Sequence, residues 1–179
     1  MSLNFIKLMK NPELERARQI VEWTGTNLFL TGKAGTGKTT FLRQLRERNP
    51  KRMVILAPTG VAAINAGGST IHSFFQFDFG PYLPGRTKIE YKLRKDKVKL
   101  IRSLDLIVID EISMVRGDMM DRIDELLRHY RTPFQPFGGV QLLLIGDLQQ
   151  LAPVVKDDEW ELLRTNYPTP YFFSSRALN

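Results

Sequence analysis

Gly32-Lys33-Ala34-Gly35-Thr36-Gly37-Lys38-Thr39 fits the pattern G-x4-G-K-[ST] without a mismatch. Backbone N–H groups reach phosphate oxygens only where side chains are minimal, and the glycines meet that need. A helix opening at the end of this turn adds unpaired donors and a positive dipole end. Lys38 can then reach the β and γ phosphates of a nucleotide, and the Thr39 hydroxyl can face Mg²⁺. The chance alternative, a glycine turn with an incidental lysine, leaves the whole pattern unexplained.

A phosphate cradle works with a carboxylate at the end of a neighbouring strand. The apolar run Asp105 to Ile109 leads into Asp110-Glu111-Ile112-Ser113. Asp110 suits Mg²⁺ ligation through water, and Glu111 suits activation of an attacking water. Such a pair favours hydrolysis over phosphoryl transfer to a small molecule, because a water nucleophile needs a base. A third segment, Gly146-Asp147-Leu148-Gln149-Gln150-Leu151-Ala152-Pro153-Val154, also follows an apolar run. A neutral amide there can sense a γ-phosphate without adding negative charge. A polar turn closed by Pro153 accounts for the segment equally well.

These residues need a scaffold that brings several strand ends together. Four short, continuously apolar segments read as strands covered on both faces: Asn27 to Thr31, Met53 to Ala57, Asp105 to Ile109 and Val140 to Ile145. Tyr171 to Phe173 is a candidate fifth. Helical patterns lie between them. Asn11 and Pro12 start one that runs to Trp23, Thr39 to Arg48 stops before Pro50, and Asp118 to Tyr130 sets Met119, Ile123, Leu126, Leu127 and Tyr130 on one face. Strands alternating with helices predict an α/β fold around a parallel sheet. Phe77 to Arg86 reads as an irregular loop.

Composition narrows the class. The 179 residues are 42% hydrophobic and 25% charged, which is the profile of a folded globular chain and not of a disordered one. With no cysteine and two histidines, disulfides and thiolate metal sites are excluded and a structural metal is not expected. No apolar run is long enough to span a membrane, and MSLNFIKLMK does not look like a secretion signal, so a cytoplasmic protein is expected. The formal charge is +7, and Arg86 to Arg102, with eight basic and two acidic residues, carries +6 of it. Such a run is either a solvated helix face or a phosphate-contacting patch.

Taken together, FLTGKAGTGKTT, APTGVAAINAGGSTIHSFF, IDEISMV, GDLQQLAPV and the final YFFSSRAL resemble, in order and spacing, the motifs of Pif1-like superfamily 1 DNA helicases. The likeness runs from Asn27 to Leu178. It implies a RecA-like P-loop NTPase domain, with the sheet sandwiched by helices, that uses ATP and Mg²⁺ to move 5′ to 3′ along single-stranded DNA and to open duplex junctions in DNA repair and genome or telomere maintenance. Residues 1–179 would form one N-terminal motor domain, with a second RecA-like domain elsewhere in the parent chain. The resemblance implies phosphate contacts from Gly32, Ala34, Gly35, Thr36, Gly37, Lys38, Thr39 and Thr40. It gives Mg²⁺ to Thr39 and Asp110, water activation to Glu111 and γ-phosphate sensing to Gln150. It sets Pro58, Thr59, Gly60, Thr70, His72 and Ser73 near the DNA backbone, while Phe74 and Phe75 fit the core better than a stacking role. The adenine-reading glutamine usual before the first motif has no match: Asn11 to Arg16 stands there, and Gln19 lies one turn late. The competing readings are a nucleotide-dependent switch without DNA work and a small-molecule kinase. The kinase leaves APTGVAAINAG and TIHSFF without a purpose.

Overall fold

In the computed structural model, described over residues 11–33, 35–48, 50–85 and 92–179, the apolar runs form a parallel sheet. Ala34, and Arg86, Lys88 and Glu90 of the basic run, lie outside the described residues. Helix α1 (Pro12–Trp23) leads to β1 (Leu28–Thr31), α2 (Lys38–Arg48), β2 (Met53–Ala57), α3 (Gly60–Ala66), the two-residue β3 (Ser69–Thr70) and the short α4 (Ile71–Phe75). After the 77–85 loop come α5 (Lys95–Ser103), β4 (Leu106–Ile109), α6 (Gly117–Tyr130), β5 (Gln141–Gly146) and α7 (Asp157–Leu163). Turns of 3₁₀ helix lie at Ile112–Met114, Pro136–Gly139 and Phe172–Ser174.

The strand order is β1-β5-β4-β2-β3, and every pairing is parallel. All C-terminal strand ends therefore face one edge, where open α/β sheets bind ligands. The order corrects one expectation. The Asp-Glu strand β4 is not the neighbour of the phosphate-loop strand β1, because β5 is inserted between them. The third segment thus sits between the other two.

Alternation along β4 builds two cores. Leu106 and Val108 pack with α1 and α2, through Val21, Phe41, Leu42 and Leu45. Ile107 and Ile109 pack on the opposite face with Ile101 of α5 and Met120, Ile123, Leu126 and Leu127 of α6. Each such aliphatic side chain contributes about 1.5–3 kcal/mol by leaving water. Both β4 and β5 are buried along their whole length, as their unbroken apolarity predicts. In contrast, β1 alternates between half-buried and exposed, because it is the edge strand. Phe74 and Phe75 are core residues.

Tyr171 to Phe173 is not a fifth strand. Tyr171 makes one antiparallel bridge to Arg116, and the chain then coils into the 3₁₀ turn. Phe172 meets Phe29 of β1 edge-on, with ring centroids 5.3 Å apart, so this aromatic segment covers the sheet instead of extending it. Four short helices, α3, α4, α5 and α7, form where no periodicity long enough to read exists. Local caps start two of them. Thr59 Oγ1 accepts from the Ala62 N–H at 3.2 Å, and Thr70 Oγ1 accepts from the Ser73 N–H at 3.2 Å.

Candidate functional site

Between β1 and α2 the chain folds as a phosphate loop. Gly35 and Gly37 adopt φ of 79° and 93°, conformations that a side chain strains. The Thr36 hydroxyl donates to the Lys33 carbonyl at 2.9 Å and ties the turn. Lys38 Nζ donates to the Gly32 and Lys33 carbonyls, the second at 3.0 Å. The ammonium therefore lies folded over the loop, held by oxygens that an incoming phosphate can replace. Thr39 and Thr40 are exposed on the first turn of α2.

The Asp-Glu pair lies at the end of β4. The Asp110 N–H donates to Leu56 O of β2 at 2.8 Å, which extends the sheet by one residue. Asp110 Oδ1 then accepts from the Glu111 N–H at 3.0 Å. Glu111 is left-handed, with φ 52° and ψ 44°, a cost of about 1–2 kcal/mol for a residue with a side chain. The turn after it is tightly wedged. A Cβ on Gly146 of β5 would come 2.8 Å from Ile112 Cγ2 and 3.1 Å from the Ile112 nitrogen, so only glycine lets the two strand ends close up.

The electrostatics follow from that crowding. Burial pushes the Asp110 carboxyl above the ordinary carboxylate range, against the pull of the Glu111 N–H and of Lys38. Burial also raises Glu111, helped by Asp110 and Asp147, with Lys38 opposing. Both carboxyls thus lack a full cationic partner. A carboxylate of raised proton affinity is the better base near neutral pH. Hard oxygen donors, Asp110 and the Thr39 hydroxyl, fit a Mg²⁺ ion that keeps several of its waters.

Buried Asp147 carries the third segment. Its Oδ1 accepts from the Gln149 N–H at 3.0 Å, and its Oδ2 accepts from Gln150 Nε2 at 3.1 Å. Both stand in GDLQQ, where the sequence marks Gln150 by its amide but gives no sign that Asp147 orients it. The register pairs Thr31 with Gly146 and Ile109 with Leu144, so the three segments share the sheet edge.

A second group gathers beside β2 and β3, where Leu56 pairs with Ser69 and Ala57 with Thr70. Pro58 and Thr59 therefore lie next to Thr70 and the α4 turn. Gly60 and Ser73 are exposed, while Thr59, Thr70 and His72 are half-buried. The two threonine hydroxyls accept as caps and keep their O–H for a further acceptor. Burial, then Arg122 and Arg116, push the His72 imidazole below its ordinary range, which favours the neutral ring at pH 7. His72 therefore suits a hydrogen bond or a stack better than a cationic phosphate contact.

The basic run divides. Lys97 of α5 lies 3.9 Å over the Phe74 ring, so the helix packs on the TIHSFF segment. Arg102 Nε donates to Tyr130 O at 2.9 Å and closes the end of α6. Lys95 and Lys99 are exposed. Asn11 of the adenine-reading stretch caps α1, its Oδ1 accepting from Glu13 N–H at 3.0 Å, and Gln19 leans back on Glu15 at 3.4 Å. Among the described residues, no helix is long and apolar enough to cross a membrane, and no cluster of metal-ligating side chains is present.

A family model for PIF1-like helicases matches residues 14–164. The chain is 38% identical over 157 residues to the ATP-dependent DNA helicase RRM3 of Saccharomyces cerevisiae, covering 85% of this chain and 22% of that protein. It is 40% identical over 147 residues to the ATP-dependent DNA helicase Pif1 of Bdellovibrio bacteriovorus, covering 80% and 33%. Among solved structures, Bacteroides sp Pif1 in complex with ADP-AlF4 superposes with a TM-score of 0.88 at 46% identity, over 92% of this chain and 38% of that one. Bacteroides Pif1 bound to ssDNA gives 0.87 at 46%, over 93% and 38%. The sheet and its phosphate loop thus match a RecA-like P-loop fold. The chain spans about a fifth of the length of its yeast relatives.

Proposed function

Because the chain belongs to the PIF1-like helicase family, we propose that it is the N-terminal motor domain of an ATP-dependent DNA helicase. The observation that carries this reading is the meeting, at one sheet edge, of Lys38, Asp110, Glu111 and Asp147, each close enough to act on another's charge. Gly32, Gly35, Thr36, Gly37, Lys38, Thr39 and Thr40, with Ala34, cradle the phosphates of ATP. Thr39 and Asp110 hold Mg²⁺, which supplies charge neutralisation at the phosphates. Glu111 takes the proton of the attacking water, and Gln150, oriented by Asp147, reads the γ-phosphate. Pro58, Thr59, Gly60, Thr70, His72 and Ser73 line the backbone of single-stranded DNA, where small hydroxyl groups and free N–H groups suit sequence-blind contact. The motor moves 5′ to 3′ along the strand, and duplex junctions open ahead of it.

The reading includes a second RecA-like domain of the parent protein, facing the same sheet edge. A facing arginine can raise hydrolysis about 10³- to 10⁵-fold. The bare domain is therefore expected to bind Mg²⁺-nucleotide weakly and turn it over very slowly. The decisive measurement is ATP hydrolysis by the full-length protein with and without single-stranded DNA. Strong stimulation is expected. Hydrolysis indifferent to DNA overturns the motor in favour of a nucleotide switch.

A further inference from the structure

Between α4 and the basic run, the 77–85 loop is fastened to α6 and its lead-in at Phe77, Asp78, Gly80 and Tyr82. Buried Phe77 stacks on Phe75 at 5.3 Å, and the Arg122 guanidinium lies 4.3 Å over its ring. Arg122 Nη1 donates to Asp78 O at 2.7 Å. Arg116 Nη2 donates to Gly80 O at 3.2 Å. The Tyr82 N–H donates to Asp118 Oδ2 at 2.9 Å, and the buried Tyr82 hydroxyl donates to Glu125.

In the middle of these fastenings stands Phe79, 90% exposed. An isolated exposed apolar residue is ordinary on a protein surface. Phe79 differs in being held on both sides by anchored backbone and in having a fixed backing. Its ring stacks on His72, with centroids 4.8 Å apart and planes at 25°. His72 itself sits between Thr70 and Ser73 in the α4 turn. The imidazole lies against one side of the phenyl ring, and the rest of the ring is presented to water.

We propose that Phe79, backed by His72, is a stacking platform for an unpaired nucleobase of single-stranded nucleic acid. The proposal rests on the nucleic-acid reading above and adds a residue, and a kind of contact, that the backbone-contacting set lacks. Stacking on an aromatic face tolerates every base, as a translocating motor requires. The anchored loop leaves Phe79 little freedom to lose, so base capture costs little ordering entropy. A protein partner fits less well, because Asp78 and Gly80 flank Phe79 in the chain and break up its apolar surroundings there.

The test measures binding of the full-length protein to two labelled oligomers, one of thymidylate and one of equal length and charge carrying abasic sites. Phe79→Ala is expected to weaken thymidylate binding about 5- to 150-fold and to leave the abasic oligomer unaffected. Phe79→Trp should restore the affinity, and Phe79→Leu, which keeps bulk without a π face, should not. Thymidylate affinity unchanged in Phe79→Ala, or equal loss for both oligomers, overturns the platform alone. Failure of the unaltered protein to bind either oligomer overturns the nucleic-acid reading, and the platform with it.

Discussion

Lys38 at the nucleotide edge donates to the loop's own carbonyl oxygens, whereas Arg116 at the start of α6 spends its guanidinium on Asp118 at 2.7 Å and 2.8 Å, on Glu159 at 2.9 Å and on Gly80 O at 3.2 Å. The same contrast holds for the acids. Asp110 and Glu111 are crowded and raised in proton affinity. Asp121 is buried but accepts from the Tyr167 hydroxyl at 2.7 Å, the Ser175 hydroxyl at 2.5 Å and the Ala177 N–H at 3.2 Å. Groups to which the proposed function gives changing partners are left with replaceable ones. Arg116 and Asp121, which hold geometry, are paired and closed off, and that second region fastens both the 77–85 loop and the C-terminal segment to α6. Crowded carboxyls at the strand ends carry an electrostatic cost that a cation or phosphate-bound ion can relieve.

The sharpest break of this contrast is Glu111→Gln in the full-length protein. Size and hydrogen bonding are kept and basicity is lost, so hydrolysis should fall about 10²- to 10⁴-fold with nucleotide affinity retained. Lys38→Ala should lower affinity as well. The base acts when ionised, so the unaltered enzyme should lose rate as pH falls through a value above the ordinary carboxylate range, and Glu111→Gln should lack that limb. Full hydrolysis by Glu111→Gln would assign the base elsewhere.

In the paired region, removing one partner should damage the fold instead. Arg116→Ala leaves Asp118 buried without its cation and should cost about 3–5 kcal/mol in denaturant unfolding. Adding Asp118→Asn should recover part of the loss. Retained stability in Arg116→Ala would show that the network does not hold the loop.

At the nucleotide edge the sign should reverse. Asp110 has a raised folded-state pKa, so ionising it opposes folding. That penalty is absent below the unfolded-state pKa, about 3.9, and grows as pH rises through the folded-state value. Asp110→Asn should therefore raise the melting temperature of the nucleotide-free protein at pH 7 or so, and the gain should vanish at about pH 3. A melting temperature lowered by the substitution at neutral pH would mean that Asp110 already has its partner.

Much of this was legible in the residues. Continuous apolarity marked β2, β4 and β5, and the glycine-rich turn marked the phosphate loop, because both are local in sequence. Strand order is not local: nothing between Ile109 and Gly146 announces that β5 inserts beside β1. The caps Thr59 and Thr70 start helices too short to show a period. Asp147 was hidden behind the more suggestive Gln150, and the role of Arg116 depends on partners 43 positions away at Glu159. Nothing in the sequence sets Phe79 apart from an ordinary loop aromatic; its stack on His72 exists only in the fold.

The smallest expected effect concerns α5, where both kinds of site meet in one charge run. Lys97 over Phe74 and Arg102 at the Tyr130 carbonyl belong to the paired, structural kind. Lys95 and Lys99, one helical turn apart and exposed, are of the replaceable kind, and α5 packs on the segment that carries Thr70 and His72. Each phosphate contact releases condensed counterions, so losing one should lower the salt slope of single-stranded DNA binding by about 0.7–1 unit. Lys95→Gln with Lys99→Gln, which removes two, should lower it by about 1.4–2 units without loss of stability. Arg102→Gln should do the reverse, keeping the slope and losing about 0.5–1.5 kcal/mol of stability with its hydrogen bond. An unchanged slope and affinity in the double lysine variant would leave α5 as a solvated face, and would confine the DNA track to the β2, β3 and α4 edge.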